Sequence, residues 1–504
     1  MAQLVEYDLA KVGVAGSNPV CRSGAEELQV KQFLFSYYMR MVEAMNQEMT
    51  KNPLETEPVG RLIAKFAIPA IISMLVSSLY NIVDQIFIGQ GVGMLGNAAT
   101  NVAFPASIIC TATALLLGIG SASNYNLEAG AGNLERAKGI AATGLSMLAI
   151  CGTVIAIVLL VFLNPLLQLF GVTPDVLPFA QDYMGICAFG IPFLCLTTGG
   201  NHLIRADRSP TYSMTCMLVG AVINTVLDPL FIFVFRWGIK GAAWATVIGQ
   251  VISGIMVIVY FIKFTHMELE KEMFLPKAEY LKAIVSLGMA SCINQVSMAI
   301  VQITMNNTLR HYGADSMYGA DIPLACAGVI SKVNMVFMAI CIGVSQGCQP
   351  IWGFNCGAGH YARVRETYKK AFRIALTVGI IFFLGFQIFP RQIVSIFGSG
   401  EEEYFHFAEQ YFRIFMFMTF INGIQPMSSG FFTSIGKAKR GIIISLTRQV
   451  IFLLPLIVIF PLFMGIDGVM YAGPIADGAA AVTAIGLAAW EQKKYLKDGK
   501  VEEK

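Results

Sequence analysis

Formal charge is what this sequence has least of. Only 13% of its 504 residues are Asp, Glu, Lys or Arg, against 56% hydrophobic, whereas soluble domains carry about 25% charged residues. Between Phe66 and Leu127 a single residue, Asp84, is charged, and Gly139–Pro174, Gly241–Ile262 and Ala283–Leu309 contain no charge at all. A bilayer core about 30 Å thick is crossed by roughly 20 apolar helical residues. Runs of this length exclude a set of soluble domains and imply a polytopic membrane protein. They are continuous rather than alternating, which excludes a β-barrel and makes the spans helices.

Reactive chemistry is missing too. No HExxH, GxSxG, P-loop or histidine pair at metal spacing occurs. His202 and His266 stand alone near span ends and read as structural or exposed. Eleven cysteines fall mostly in apolar runs (Cys110, Cys151, Cys187, Cys195, Cys216, Cys341) without CxxC spacing. They read as small buried hydrophobes rather than metal ligands or disulfides. A membrane enzyme is disfavoured and no cofactor is expected. The net charge of +3 is uninformative about partners, and no nucleic acid is expected.

Residues 1–50 differ from the rest. They are polar, hold no span, and lack the basic start and uncharged run of a signal peptide. The piece AKVGVAGSNPVCRSG resembles translated read-through of a neighbouring transfer-RNA gene. The segment is expected to be a disordered extension, or a gene-call artefact with the true start at Met41, Met45 or Met49.

What remains is a chain of twelve expected spans: 62–89, 100–124, 140–163, 178–201, 211–235, 242–264, 280–309, 322–349, 370–389, 405–430, 441–463 and 469–490. Loops after even-numbered spans carry thirteen Lys and Arg, those after odd-numbered spans four. By the positive-inside rule the even loops and both termini are cytoplasmic. GAGNLERAK at Gly130 recurs as GAGHYARVR at Gly357, an offset of 357 − 130 = 227. LFG ending at Gly171 recurs as IFG ending at Gly398, FAQDY at Phe179 as FAEQY at Phe407, and GIKGAAWA at Gly238 as GIDGVMYA at Gly465, all at 227 or 228. The expected fold is therefore all-α, with an N-lobe over 61–265, a cytoplasmic linker 266–276, a C-lobe over 277–490 and a tail 491–504. Six spans per half give both lobes the same orientation, the parallel-repeat plan of many transporters.

The embedded polar residues carry the functional reading. A carboxylate at mid-span costs about 2.5–3.5 kcal/mol to insert, so one kept there marks a functional site by default. Asp84 lies in span one. In NTVLDP, Asn224 and Asp228 are four apart on one helix face, and Pro229 frees a backbone carbonyl one turn earlier. Thr246 adds a hydroxyl in span six. Asp228 maps onto Pro455, and the span-seven segment set against Asp84 reads QITMNNTL, with Asn306 and Asn307. The paired acids thus belong to one lobe, which favours function over scaffold. Two acids, an amide and a hydroxyl suit reversible binding of a proton or a hard cation such as sodium. Asn81, Gln85, Asn294, Gln302, Lys332, Asn422 and Gln425 are candidates for a substrate cleft, the amides also serving as interhelical hydrogen-bonding groups. Arg448 and Gln449 read as interfacial, and Glu128 and Asp207 as solvated or paired near loops.

With Pro69 and Asp84, the two GAG loops, QGCQPIWGFNCGAG, NTVLDP and the two GIxG loops, residues 61–490 resemble the multidrug and toxic compound extrusion (MATE) family, its MepA-like bacterial branch in particular. The resemblance implies two six-helix lobes in a V and efflux of amphipathic, often cationic drugs driven by inward proton or sodium flow. It also implies a cation site at Asp84, Asn224, Asp228 and Thr246. Spans seven and ten, where some branches carry acids, hold amides here. The expected protein is a monomeric secondary active multidrug antiporter of a bacterial cell membrane. A flippase for lipid-linked or polysaccharide substrates and a passive channel are the rival readings.

Overall fold

Apolar runs this long leave the backbone no partner but itself, and among the described residues it forms helices only. The structure, a computed structural model, describes residues 52–267, 269–319, 321–397 and 402–494. The expectations for residues 1–51 and 495–504 lie outside them. Pro53–Thr56 is one helical turn, started by Asn52, whose Oδ1 accepts from the Leu54 N–H at 3.1 Å. From Glu57 onward the chain is one compact unit.

That unit is built from α1 (Val59–Gly91), α2 (Met94–Gly130), α3 (Leu134–Val161), α4 (Leu177–Ala206), α5 (Pro210–Val234) and α6 (Ile239–Phe264), followed by α7 (Ala278–Ala314), α8 (Asp321–Gly357), α9 (Tyr361–Ile388), α10, α11 (Ala438–Met464) and α12 (Ile466–Lys494). Eleven are long and apolar enough to cross a membrane. The exception is α10. One continuous span over 405–430 is expected, but the chain forms three pieces, Glu402–Phe415, Thr419–Asn422 and Ile424–Ser434. Pro426 has no N–H for the carbonyl a turn before it and is tolerated only in a first turn, which accounts for the second break. Nothing in the sequence explains the turn at residues 416–418. In α5, Pro229 is followed directly by a π-helical turn, Leu230–Val234, one of the local adjustments by which membrane helices accommodate proline.

The repeat is visible in helix ends. α3 and α9 begin 361 − 134 = 227 residues apart and end at the same offset, and so do α2 and α8. The two lobes meet through small residues where helices approach closely. Gly130 lies against the Phe354 carbonyl of the other lobe, and Gly357 against the Leu127 carbonyl, with no room for a Cβ at either. α1 crosses α8 and α2 crosses α7 in matching fashion: Gly343 meets Ile71 and Gly347 meets Ala67, while Gly288 meets Leu116 and Gly120 meets Ile284. Positions 116 and 120 pair with 343 and 347 at the offset of 227. Positions 71 and 67 then pair with 288 and 284 at 217.

This second offset corrects the sequence comparison for span one. Between the matched contact positions the C-lobe holds ten more residues (343 − 288 = 55 against 116 − 71 = 45), so a single offset cannot hold there. The counterpart of Asp84 is Val301 (84 + 217), a packed core residue, not the Asn306–Asn307 pair. Gln85 pairs with Gln302. An acid in one lobe thus stands where the other has an aliphatic side chain.

Charged ties reinforce the lobe contact at the end that carries the GAG loops. Arg136 on α3 reaches Glu128 of its own lobe and Glu279 of the other, each at 2.9 Å. Its repeat partner, Arg363, donates to Asn355 Oδ1 at 3.1 Å and across to the Glu57 carbonyl at 2.6 Å. Asn124 Nδ2 donates to the Ala283 carbonyl at 3.0 Å. The lobes are therefore held together at the GAG end, and the cleft between them lies on the opposite side of these contacts. Large apolar side chains such as Ile157, Val161, Ile381 and Phe463 remain exposed on the outer faces of the helices, as lipid-facing residues of a multi-pass protein do.

Candidate functional site

α1, α5 and α6 bring the four expected cation-site residues of the N-lobe into one neighbourhood. Asp84 is 8% exposed and Asp228 fully buried, and their carboxyl groups are hydrogen-bonding neighbours when one of them carries a proton. On the same face of α5, Asn224 Nδ2 donates to Thr246 Oγ1 of α6 at 3.3 Å, which turns its amide oxygen away from that contact. Asp84 Oδ1, both oxygens of Asp228 and Asn224 Oδ1 are buried without a hydrogen-bond partner. No Lys or Arg among the described residues pairs with either acid. Two ionised carboxylates held as buried neighbours repel each other, on top of their desolvation. The site is electrostatically incomplete without a proton or a cation.

Three neighbours escaped the sequence reading. Tyr80, one turn before Asp84, feels both acids, and Tyr183 with Cys187 on α4 faces Asp84. A cavity of about 110 Å³ reaches Asn224 and Thr246 and is bounded also by Ser77, Tyr80, Thr197 and Gln250. No sequence periodicity could place α4 against α1, so these contacts needed the fold. His, Cys, Asp and Glu form no cluster of three among the described residues; the donor set is one of oxygens.

A larger cavity, about 360 Å³, lies between the lobes. Met74, Ser77 and Phe104 come from α1 and α2; Met298, Met305, Met335, Tyr411 and Phe415 come from the C-lobe. Of the seven residues expected to line a cleft, only Gln302 does so here. Asn81 is exposed and bonds the Ser77 carbonyl at 2.6 Å, Gln85 bonds Thr100 Oγ1 at 3.2 Å, and Asn294 contacts Met298 Sδ at 3.8 Å. Asn422 and Gln425 are buried at the break of α10, where Gln425 Nε2 donates to the Ile444 carbonyl at 2.8 Å. Lys332 is exposed on α8 and stands beside the cavity-lining Ser331 without lining the cavity itself. One step along a helix turns a side chain by about 100°, which takes Lys332 off the lining face.

The basic residue that does line the cavity is Arg448, with Gln449 beside it. It is not interfacial. Arg448 is 8% exposed, and its Nε donates to Asp477 Oδ1 of α12 at 2.5 Å. Asp477 was missed in the sequence although ADGAAAV places it alone in an apolar helix, the same signal that marks Asp84. Asp207 is buried, not solvated: Tyr260 Oη, Thr265 Oγ1 and the His266 N–H donate to its Oδ2 at 2.7, 2.9 and 2.8 Å. Burial raises its carboxyl above the usual range, and those hydrogen bonds pull the other way.

Comparison with known proteins agrees with this architecture. The chain is 23% identical over 435 residues to the multidrug export protein MepA of Staphylococcus aureus (strain MSSA476), covering 86% of this chain and 94% of that protein. It is 24% identical over 448 residues to a protein of Shewanella oneidensis named FAD transporter, covering 87% and 96%. Among solved structures, an outward-facing multidrug resistance MATE family transporter of the MOP superfamily superposes with a TM-score of 0.82 at 24% identity, over 88% of this chain and 98% of that one. A MOP superfamily transporter from Pyrococcus furiosus gives the same score at 23% identity, over 89% and 98%. The MatE family model matches residues 69–230 and 290–459, well over half of the sequence, and the chain belongs to the MatE family of membrane transporters.

Proposed function

We propose that the protein is a secondary active exporter that exchanges amphipathic small molecules for inward-moving protons or sodium ions. The observation that carries this reading is the pair Asp84 and Asp228: two buried neighbouring acids with orphaned oxygens and no basic partner. A site that needs a positive charge, in one lobe only, is suited to a coupling ion. Asp84 and Asp228 would bind the proton or cation, and Asn224 and Thr246 would supply neutral oxygens. Loading this site stabilises the lobe arrangement that retains the ion, while cargo stabilises the other, so the two exchange through one equilibrium. One charge moved through about 100 mV is worth roughly 2.3 kcal/mol, on the order of a 50-fold gradient of cargo.

The excess of Lys and Arg on the GAG-end loops supports a cytoplasmic GAG end and cytoplasmic termini in a cell membrane. The lobe contacts at that end, with the cleft beyond them, then correspond to a release-competent state, and alternating access requires those contacts to part. Multidrug export is the activity named for the S. aureus relative. A flippase for lipid-linked or polysaccharide substrates would call for basic groups in the cleft to hold phosphates, and one arginine lines it. A passive channel would need no unpaired acids.

Everted membrane vesicles test the exchange directly. Adding an exported dye to vesicles at an established pH or sodium gradient should release the coupling ion. Dye movement with no ion counterflow would mean a channel.

A further inference from the structure

The cavity between the lobes has a sign. No Asp or Glu lines it, and its one charged lining residue is Arg448. The arginine is held rather than free to swing, since Nε is committed to Asp477 Oδ1 at 2.5 Å and both side chains are buried. Asp477 itself does not line the cavity. Guanidinium carries five N–H donors in a rigid fork, and Nη1 and Nη2 make no hydrogen bond among the described residues. The outer edge of Arg448 is therefore available on the cavity side. Gln449, Gln302 and Asn334 line the same cavity, and Asn334 Oδ1 is buried without a partner. The remaining wall is mostly apolar, with Met298, Met305, Met335, Tyr411 and Phe415 among aliphatic side chains and a few serines and Gln295.

We propose that the C-lobe wall of the cleft is a recognition site for amphipathic aromatic molecules bearing a carboxylate or phosphate, with Arg448 receiving the acidic group and Asp477 positioning the guanidinium. This rests on the exporter reading and narrows its cargo. A planar carboxylate or phosphate matches the remaining Nη1/Nη2 edge of Arg448, while thioether and aromatic surfaces accept a flat ring system of varied outline. A cavity of about 360 Å³ is within the range that holds a drug-sized molecule. A purely cationic molecule would meet the arginine's charge with no acid on the lining to offset it. The C-lobe acid is spent on Arg448, so this wall selects cargo while the unpaired acids of the N-lobe stay available for the coupling ion.

The test is equilibrium binding to the purified full-length protein in lipid nanodiscs, read by fluorescence polarisation. Two pairs of probes share a ring system and differ in charge. Fluorescein is the carboxylate-bearing partner of cationic rhodamine 6G, and flavin mononucleotide is the phosphate-bearing partner of riboflavin. The wild type should bind at least one acidic member more tightly than its partner, and whichever pair shows the preference identifies carboxylate or phosphate. Arg448→Gln should weaken that acidic probe about tenfold or more and leave its partner unchanged or tighter. Because the single variant strands Asp477, the double variant Arg448→Gln/Asp477→Asn is measured as well; it should stay monodisperse and show the same selective loss. Equal binding of acidic and non-acidic probes by the wild type, or retained acidic binding in the double variant, overturns the proposal. No gradient is involved, so a protein that binds with this selectivity but does not exchange ions would refute the exporter reading alone.

Discussion

Arg448 donates to Asp477 at 2.5 Å inside the C-lobe, joining α11 to α12 across a buried face. In the N-lobe, Asp84 and Asp228 have each other and no base. The two lobes share a fold and differ in whether their membrane acids are already neutralised. That difference sets apart a structural ion pair from the site we propose for the coupling ion.

Breaking the ion pair from one side should be costly. Arg448→Met or Asp477→Leu alone is expected to destabilise by about 3–5 kcal/mol, because a buried charge loses its partner. The double replacement Arg448→Met/Asp477→Leu should recover most of that loss. Thermal unfolding in detergent measures all three; a double variant as unstable as the worse single one would contradict the pairing.

The N-lobe acids should behave in the opposite way. Asp84→Asn and Asp228→Asn each remove a buried charge that has no partner, so neither should lower thermal stability, while each should abolish ion-driven efflux. Combining them should do no more harm than either alone, since the two act as one site. Efflux from energised vesicles and a melting curve on the same preparations check both halves.

The corrected register makes a sharper control. Asn306→Ala and Asn307→Ala should leave efflux within about twofold of wild type, as neither is the counterpart of Asp84. Val301→Asp, at the true counterpart, should destabilise by about 3 kcal/mol, the cost of an unpaired acid at mid-span. It should not create a second ion dependence, measurable as an unchanged slope of efflux on ion concentration.

The lobe contact at the GAG end can be pried open. Gly130 and Gly357 have no room for a Cβ, so Gly130→Val and Gly357→Val should each destabilise the closed GAG end by about 1–3 kcal/mol. Faster thiol labelling of the half-buried Cys356, followed peptide by peptide, would report the opening; unchanged labelling in both variants would show that the contact does not set the closed state.

Much of this was legible before any coordinates. Asp84, Asn224, Asp228 and Thr246 were readable because an acid in an apolar run is conspicuous and a spacing of four fixes a helix face. The repeat was readable because turn glycines keep their spacing. The single offset fails at span one for a physical reason: α7 and the loop after it are longer at the end away from the GAG loops, and no glycine motif marks that insertion. The cleft was read poorly because amides in membrane helices bond locally as readily as they face cargo, as Gln85 and Gln425 do. Lys332 and Arg448 exchanged roles because the facing direction of one residue in a long apolar helix depends on neighbours from other helices. Asp477 is legible in the sequence by the same signal as Asp84, an acid alone in an apolar helix.

The central claim is that Asp84 and Asp228 couple an inward ion gradient to export. Its most direct test is dye efflux from proteoliposomes, driven separately by an imposed pH gradient and by an imposed sodium gradient, for the wild type, Asp84→Asn and Asp228→Asn. The account predicts that at least one gradient drives efflux in the wild type and that neither does in the two variants. Efflux that ignores both gradients, or that survives either substitution, would contradict it.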